Sequence, residues 1–448
     1  MRSIRVLLLL GIFVFTFSHR IRAEEANHLV SDYNSHEAWN WYVQSTLISQ
    51  GDSKMDSPYS GQNSLSPAGE FKTSFTATAF LGAALWKDSS FFVNPEVAAG
   101  SGLSATHGIA GFPNGEIYRV DDPAPKPNLS RFYLQQIIGL GGEKELIESD
   151  KNQLRSQVDQ ERITLIAGKF SLNDFFDNNT YSHDPRTQFF NWSLMDNGAW
   201  DYAADTRGYT WGLYVEYNRP KWAIRVATVM VPIRANVMEM DPNILQAHGD
   251  NAEFEYRYSI YNRNGKARLL GYMNHADMGN YQSTLQAALN DPSLGMDVTT
   301  TRQYSLKYGF GLNLEQEVTK DLGLFARVGW NNGQTETWAF TEVDHTASLG
   351  VALKGALWSR RDDNAGIAWI VNGLSREHMD YLAAGGYGFI IGDGQLNYAP
   401  EQIAELYYLF KPARTVGISA DFQWVNHPGY NQDRGDAAII ATRMHYEI

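Results

Sequence analysis

Apolar and polar residues alternate with a period of two along much of the chain. In 302–314 every second residue is tyrosine, leucine or phenylalanine, and the residues between them are polar or glycine. The same alternation recurs in 209–218, 222–228, 253–261 and 324–330. Most of these stretches approach the roughly 9–11 residues that a tilted strand needs to cross a bilayer. The pattern predicts β-strands with one apolar and one polar face.

Short polar segments separate several of these stretches and predict tight turns. Arg-Pro-Lys at 219–221 and Thr-Lys-Asp at 319–321 each lie between two alternating runs. Asn-Arg-Asn-Gly at 262–265 follows another, and we expect its Asn-Gly pair to supply the positive φ angles of a hairpin turn. Strands joined in this way are antiparallel neighbours.

Four segments break the alternation and are expected to be loops. Segment 108–128 is rich in glycine and proline, and 174–202 is polar and aromatic. Segment 143–161 is charged and rich in glutamine, which predicts a solvated loop or a short helix. Segment 282–301 is a loop that could include a helical turn. Loops this long are usually functional or disordered.

A closed transmembrane barrel fits both faces of the predicted strands. Beyond residue 17 the chain has no apolar run long enough for a spanning helix, and in lipid only helices and closed barrels satisfy every backbone polar group. We therefore predict an all-β fold, a closed antiparallel transmembrane β-barrel with long loops partly folded into the lumen. A secreted all-β lectin is the soluble alternative. The candidate pore-lining charges on the inward faces are Glu216, Arg225, Glu255, Arg257, Lys307 and Arg327.

The N-terminus has the pattern of an export signal. Arg2 and Arg5 precede a mostly apolar run at 6–17, which is short for a transmembrane helix of roughly 20 residues. We expect residues 1–23 to be a signal peptide that is cleaved after Ala23, with an uncleaved anchor as the alternative. Residues 24–69 would then form an N-terminal lead-in and the first strand region, and residues 70–448 the barrel domain.

The last segment, 437–448, predicts a final strand with a recognisable end. Tyr446 is third from the end and Ile448 is last. This arrangement resembles the assembly signal of outer-membrane proteins, although the last residue there is usually phenylalanine. We therefore expect the strand to contact the barrel-assembly machinery, and outer-membrane lipid and lipopolysaccharide to surround the barrel.

Composition and motifs narrow the function further. The formal net charge of −13 argues against nucleic acid as a partner, and the absence of cysteine excludes disulfides and cysteine-ligated zinc. G-x-S-x-G, H-E-x-x-H and P-loop motifs are missing. We expect no enzyme activity, no cofactor and no metal site. Glu401 and Glu405, spaced i, i+4, are interpreted as a solvated face of a short turn rather than a catalytic pair.

Several segments resemble the carbohydrate-selective porin family. Two are especially specific: AGKFSLNDFFDNNTYSHDPRTQFFNW within 165–205 and ADFQWVNHPGYNQDRG within 405–448. Further resemblance lies in 108–142, 207–217 and 269–279. Two departures are Ile448 in place of the usual terminal phenylalanine, and His427 before the proline where the family more often has Asn-Pro.

The resemblance implies a barrel of 16 strands in the outer membrane of a Gram-negative bacterium, through which sugars diffuse passively. It also implies that loops fold inward and form a charged constriction. By their position in the matching segments, the candidate constriction residues are Glu116, Arg119, Asp184 and Arg186. Mono- or disaccharides would be weakly bound permeants of a monomer or a trimer. The alternatives are a general or ion-selective porin, a polymer exporter or a barrel enzyme.

Overall fold

Sixteen antiparallel strands close into a single barrel in the computed structural model, which describes residues 36–117, 123–338 and 341–448. The predicted signal peptide, 1–23, and the candidate residue Arg119 lie outside the described residues. The strands are β1 Trp39–Asp52, β2 Phe71–Ala84, β3 Ser89–Gly100, β4 Lys126–Ile147, β5 Ser156–Phe170, β6 Thr210–Arg219, β7 Trp222–Val229, β8 His248–Ile260, β9 Arg263–Met278, β10 Gln303–Thr319, β11 Leu322–Asn331, β12 His345–Lys354, β13 Asn364–Gly373, β14 Glu401–Ala413, β15 Val416–Asn426 and β16 Ala437–Glu447.

The ring closes where β1 meets β16. Leu47 on β1 lies opposite Met444 on β16 and opposite Phe75 on β2. The barrel therefore includes β1, which precedes the boundary at residue 70 that we expected from the sequence. Closure pairs the backbone groups of the first and last strands, as a lipid environment requires. The predicted closed antiparallel barrel is confirmed.

The period-two alternation separates the outer surface of the barrel from its interior. On β10, Tyr304, Tyr308 and Phe310 are exposed, whereas Lys307 and Asn313 are buried. Apolar side chains thus cover the outside and polar side chains point inward. This is the reverse of a water-soluble protein and matches a barrel surrounded by lipid.

The two ends of the barrel differ in the length of their connections. At one end, named the turn end, β6–β7, β8–β9, β10–β11 and β14–β15 are joined by tight turns at 220–221, 261–262, 320–321 and 414–415. At the other end, named the loop end, the described strands are joined by long connections. These are L1 53–70, L2 101–125, L3 171–209, L4 230–247, L5 279–302, L6 332–344, L7 374–400 and L8 427–436.

The β8–β9 turn lies earlier than predicted. Tyr261 and Asn262 form it, with φ angles of 51° and 59°. The Asn-Gly pair at 264–265, which we expected to form the turn, belongs to β9. Gly265 lies against the ring of Tyr258, and a Cβ atom there would come within 2.4 Å of that ring. Close packing, and not a turn, therefore requires glycine at this position.

Strands β4 and β5 continue past the barrel at the turn end. They have 22 and 15 residues, whereas crossing a bilayer takes about 9–11. The extension occupies most of 143–161, so the prediction of a solvated loop or short helix is wrong there. Lys144 pairs opposite Asp159 in this hairpin. The pairing register shifts between Gly139 and Lys144, and the apolar alternation that marks the other strands is missing there.

Short helices lie in the long loops. They are α1 Trp192–Met195 in L3, α2 Tyr281–Asn290 in L5 and α3 Arg376–Ala383 in L7, with 3₁₀ turns at Leu103–Thr106, Leu172–Asp174, Pro292–Leu294, Val298–Thr301 and Pro428–Tyr430. A further 3₁₀ turn, Gly355–Trp358, lies between β12 and β13 at the turn end. The segment 282–301 is thus more helical than predicted, because Asn280 caps α2 by accepting from the Ser283 amide. Among the described residues, no helix is both long and apolar enough to cross a membrane.

The apolar core lies inside the barrel because L3 folds into the lumen. Phe176 and Trp200 of L3 pack together and belong to one buried cluster with Tyr214 and Tyr272 of the wall. The hydroxyl of Tyr272 also donates to the carbonyl of Ala199, at 2.8 Å. The expected inward-folded loop is therefore present, and its Phe176 packs against Tyr214 of the inner wall.

Candidate functional site

Carboxylates of the barrel wall hold L3 by its backbone amides. Glu253 accepts from the amide of Asp177 at 2.7 Å, and Glu315 accepts from that of Thr180 at 2.8 Å. Further round the ring, on β14, Glu405 accepts from the amide of Asn191 at 3.1 Å. Hydrogen bonds to a charged group in a shielded site are strong. These bonds fix the course of L3 across the lumen.

Two wall arginines hold L3 by its carbonyl groups. Arg327 donates to the carbonyl of Ser182 at 2.7 Å and pairs with the carboxylate of Asp177 at 2.8 Å. Arg443 donates to the carbonyls of Pro185 and Gln188, at 2.6 and 2.9 Å. The planar guanidinium, with its five donors, suits such multiple bonding. The loop is thus anchored from β11 and from β16.

L2 is anchored beside L3 from β14 and β15. Glu401 accepts from the amides of Ala110 and Gly111, at 3.0 and 2.8 Å, and Gln423 donates to the carbonyl of Pro113 at 2.9 Å. The interpretation of Glu401 and Glu405 as a solvated turn is therefore wrong. Both lie on β14, point inward and are buried, since carboxylates are needed there to satisfy loop amides.

An open space of about 290 Å³ remains between L2, L3 and the inner face of β2–β4. It is named the eyelet, and its charged and aromatic lining consists of Glu96, Phe112, Glu116, Arg131, Asp174, His183, Asp184, Arg186, Trp192, Tyr202, Arg207 and Tyr209. The eyelet lies on the side of the lumen opposite the anchors of L3 on β8–β11. A solute that crosses here meets both loops and the wall together.

Two ion-pair groups stand in the eyelet. Arg131 on β4 makes a two-pronged pair with Asp174 of L3, with an Nε–Oδ2 distance of 2.7 Å. Arg186 of L3 lies 3.0 Å from Glu116 of L2 and 3.4 Å from Asp184. Arg186 therefore joins the two loops that bound the eyelet, and both groups present charged donors and acceptors to the open space.

The loop charges of the eyelet keep Asp184 and Arg186 ionised. Burial raises the pKa of Asp184, but the charge and backbone amide of Arg186, together with the charges of His445 and Lys151, outweigh it, and the pKa lies well below its ordinary value. Burial likewise lowers the pKa of Arg186, and the charges of Glu116 and Asp184 more than reverse this. The pKa of Glu116 is raised by burial despite the charge of Arg186.

Aromatic rings complete the lining. Trp192 stacks on Phe112 with 4.9 Å between ring centres and lies 6.0 Å from the ring of Tyr202. The guanidinium of Arg131 sits 5.2 Å from the ring centre of Tyr209, whose hydroxyl donates to Glu96 at 3.1 Å. Apolar ring surface thus borders the ion-pair groups.

The structure brings together three of the four constriction candidates. Glu116, Asp184 and Arg186 form one ion-pair group, as described above. Arg119 lies outside the described residues. The described residues contain no group of three or more His, Cys, Asp or Glu placed to hold a metal ion.

Four of the six strand candidates form a separate network on the wall. Arg225 pairs with Glu216 at 2.7 Å and lies 3.3 Å from Glu255, and Arg257 also pairs with Glu255 at 2.7 Å. Arg225, Glu255 and Arg257 line a second space of about 450 Å³ on β5–β9. All four point inward, yet none of them lines the eyelet.

The other two strand candidates are covered by L3. Lys307 pairs with Asp201 of L3 at 3.2 Å, and Arg327 pairs with Asp177; each of the two cations is 1% exposed. The sequence placed them on the lumen side of β10 and β11, and they do point inward. Because the loop covers them, they contact L3 and not open water.

Sequence reasoning missed Arg131 and Asp174. Arg131 lies in the family-like segment 129–142, but the register of β3 and β4 shifts between Asn94 and Pro95, which breaks the alternation that would mark an inward side chain. Asp174 lies in a loop, where no periodicity exists. The two residues come together only because L3 contacts β4 in the folded barrel.

Comparison with known proteins agrees with this architecture. The model of the carbohydrate-selective porin, OprB family, matches residues 62–447. The chain belongs to the OprB family. It is therefore an outer-membrane porin that passes sugars by passive diffusion, and the family resemblance seen in the sequence is confirmed.

Solved structures show the same fold as this OprB-family chain. The high-pH structure of OprB from Pseudomonas putida is similar with a TM-score of 0.68 and 16% identity, over 92% of this chain and 94% of that one. The outer membrane channel DcaP of Acinetobacter baumannii has a TM-score of 0.51 and 9% identity, over 94% and 100%. No curated protein matches the chain.

Proposed function

We propose that the eyelet is the point at which sugars are selected, and that mono- or disaccharides are the permeants. The observation that carries this is the pairing of Arg131 with Asp174 beside the group formed by Glu116, Asp184 and Arg186. Sugar hydroxyls donate and accept hydrogen bonds at once. The two ion-pair groups offer both kinds of partner around one opening.

Pairing among the eyelet charges favours weak binding. Each arginine is already bonded to a carboxylate, so a sugar hydroxyl must replace an existing hydrogen bond instead of binding a free donor. Each hydrogen bond exchanged in this way is worth only about 0.5–1.5 kcal/mol. A channel needs sites that are favourable enough to enter and weak enough to leave. The open volume of about 290 Å³ is at the small end of the roughly 300–1,000 Å³ of small-molecule sites, which supports small sugars.

The aromatic border supplies the complementary contact. The rings of Trp192 and Tyr209 lie beside the charged groups. Sugars present patches of C–H groups that pack on ring surfaces while their hydroxyls bond to charged neighbours. Glu216, Arg225, Glu255 and Arg257 then tune the field in the lumen without binding the permeant themselves.

The proposal extends to the export and the surroundings of the protein: residues 1–23 direct export and are removed. The barrel-assembly machinery recognises β16. The exposed apolar belt contacts outer-membrane lipid and lipopolysaccharide. The barrel works as a monomer or a trimer, and the channel has no enzymatic activity.

Conductance of the refolded protein in a planar bilayer, titrated with mono- and disaccharides, tests the proposal. Single-channel current should fall saturably with a sugar that binds in the eyelet. Arg131→Gln should weaken this block, whereas Arg376→Gln, on the 87% exposed side chain of α3, should leave it unchanged. Steady conductance that no sugar alters would refute sugar selection and favour a general porin.

A further inference from the structure

The tip of the β4–β5 hairpin, residues 148–155, folds back over the lumen at the turn end. Asn40 on β1 donates to the hydroxyl of Ser149 at 3.0 Å and to the carbonyl of Gln153 at 2.8 Å. Tyr42, the next inward position on β1, also donates to Ser149, at 3.0 Å. Since β2 and β3 separate β1 from β4 in the ring, the tip must reach across part of the opening.

The tip also reaches β16. The Nζ atom of Lys151 lies 2.6 Å from a carboxylate oxygen of Glu447, and His445 lies 3.3 Å from the same oxygen. Arg443, His445 and Glu447 occupy alternate positions on β16, so they share its inward face. The tip therefore meets the inner surface of the barrel and not its outside.

Burial and backbone bonds hold the base of the tip in place. Leu154 is buried in the same apolar cluster as the inward-facing Phe92 and Tyr133. The amide of Glu37 donates to the carbonyl of Arg155 at 2.9 Å, and the amide of Arg155 donates to the carboxylate of Glu37 at 2.8 Å. The hairpin end is thus fixed to the wall on both flanks.

The tip lies further along the route that leaves the eyelet. Arg443 contacts L3 beside the eyelet, and Glu447 is four residues further, which is about 13 Å along a strand towards the turn end. The eyelet and the β4–β5 tip are close enough to interact electrostatically. Burial raises the pKa of Asp184, but the charges of Arg186, His445 and Lys151 are among the causes that bring it below its ordinary value.

We propose that the β4–β5 tip forms a second constriction in series with the eyelet, where Lys151, His445 and Glu447 contact each permeant before it leaves at the turn end. That end faces the periplasm in outer-membrane barrels. The ammonium group, the carboxylate and the hydroxyl of Ser149 again offer both donors and acceptors to sugar hydroxyls. This constriction adds to the eyelet and does not depend on which sugar the eyelet selects.

Cysteine labelling tests the second constriction cleanly, because the chain has no cysteine of its own. Lys151→Cys channels in a planar bilayer are treated with a negatively charged methanethiosulfonate reagent. Labelling should reduce the single-channel current in a discrete step, because it adds bulk to the route. Tyr261→Cys is the matched control, since Tyr261 is 96% exposed in the β8–β9 turn at the same end. Its labelling should leave the current unchanged.

Mass spectrometry gives the labelled fraction of each variant. A labelled Lys151→Cys channel with unchanged current would overturn the proposal, and so would a conducting channel that resists labelling. Lys151→Gln provides a second test if the cysteine variant does not fold. Loss of the ion pair with Glu447 should loosen the tip and raise the current, and an unchanged current would contradict the proposal. Weakening of the sugar block by Arg131→Gln reports on the eyelet separately, because that substitution leaves Lys151, His445 and Glu447 in place.

Discussion

Arg327 on β11 and Asp177 on L3 form an ion pair at 2.8 Å, and neither side chain is more than 2% exposed. The same guanidinium donates to the carbonyls of Ser182 and Leu194. A buried charge is tolerated only with partners of this kind. Together with the other wall anchors, Arg327 thus fixes where L3 crosses the lumen, and with it the position of the L3 side of the eyelet.

Arg327→Met should lower the free energy of unfolding by about 3–5 kcal/mol, because it leaves the buried carboxylate of Asp177 without its charged partner. Methionine keeps most of the apolar volume of the arginine stem. Urea unfolding of the refolded protein, followed by tryptophan fluorescence, measures the loss. Arg376→Met on the exposed face of α3 is the control and should change stability by no more than about 0.5 kcal/mol. Equal stability of the two variants would contradict this role of Arg327.

A glycine notch in the wall receives Asn197 of L3. Gly311 and Gly329 lie opposite each other on β10 and β11, and a Cβ atom at residue 329 would come within 1.9 Å of the Asn197 side chain. Gly329→Ala should therefore displace the loop and destabilise the protein by about 1–3 kcal/mol through overpacking. The same urea titration measures this change.

Gly271→Ala on β9 is the matched control, because a Cβ atom there has no neighbour within 4 Å. It should have almost no effect on stability. Single-channel recordings of Gly329→Ala should also show an altered current, because the notch positions L3. A current and a stability both equal to those of Gly271→Ala would show that the notch does not hold the loop.

The barrel itself was predictable because the two faces of each strand meet different surroundings. Lipid outside and polar groups inside force the alternation seen in β10 and β11, and the family resemblance supplied the strand number. The extension of β4 and β5 escaped because register shifts between Gly139 and Lys144 interrupt its alternation. Helix α2 escaped because its single buried face, including Tyr281 and Thr284, depends on packing against neighbouring loops.

The eyelet was predictable only in part. Glu116, Asp184 and Arg186 were found by their position in family-like segments, while Arg131 and Asp174 come together only in three dimensions. The spacing of Glu401 and Glu405 misled for a physical reason. Residues i and i+4 share a face on a helix and also on a strand, so spacing alone could not distinguish a solvated turn from the inner face of β14.

Arg186→Gln should weaken sugar block and change ion selectivity. Arg186 bonds to Glu116 and Asp184, so a sugar that exchanges with these bonds gains only about 0.5–1.5 kcal/mol for each hydrogen bond from the guanidinium. The half-saturating sugar concentration should therefore rise by roughly two- to tenfold. Removing one positive charge from the eyelet should also shift the reversal potential in a salt gradient towards cations. Unchanged block together with an unchanged reversal potential would exclude Arg186 from the permeation route, and Arg376→Gln serves as the control.

Asp344 of L6 and His378 of α3 form a second buried pair, at 3.0 Å, that ties L6 to L7. Burial raises the pKa of Asp344, but the charge and hydrogen bond of His378, the charge of Lys307 and the amide of Ser375 together outweigh it, and the pKa falls to about 2. Because the folded pKa lies below the unfolded one, ionised Asp344 stabilises the protein above about pH 4, and this contribution disappears as the pH falls through about 2. Two pKa units correspond to roughly 2–3 kcal/mol.

The free energy of unfolding should therefore fall more steeply for the unmodified protein than for Asp344→Asn as the pH drops from about 5 to about 2. Asparagine at this position cannot ionise, so its variant lacks the pH-dependent part and should be less stable at neutral pH. Asp380→Asn is the control, because Asp380 lies on L7, the loop of His378, with an exposed side chain. Parallel pH profiles for Asp344→Asn and the unmodified protein would mean that the pair with His378 does not stabilise the junction of L6 and L7.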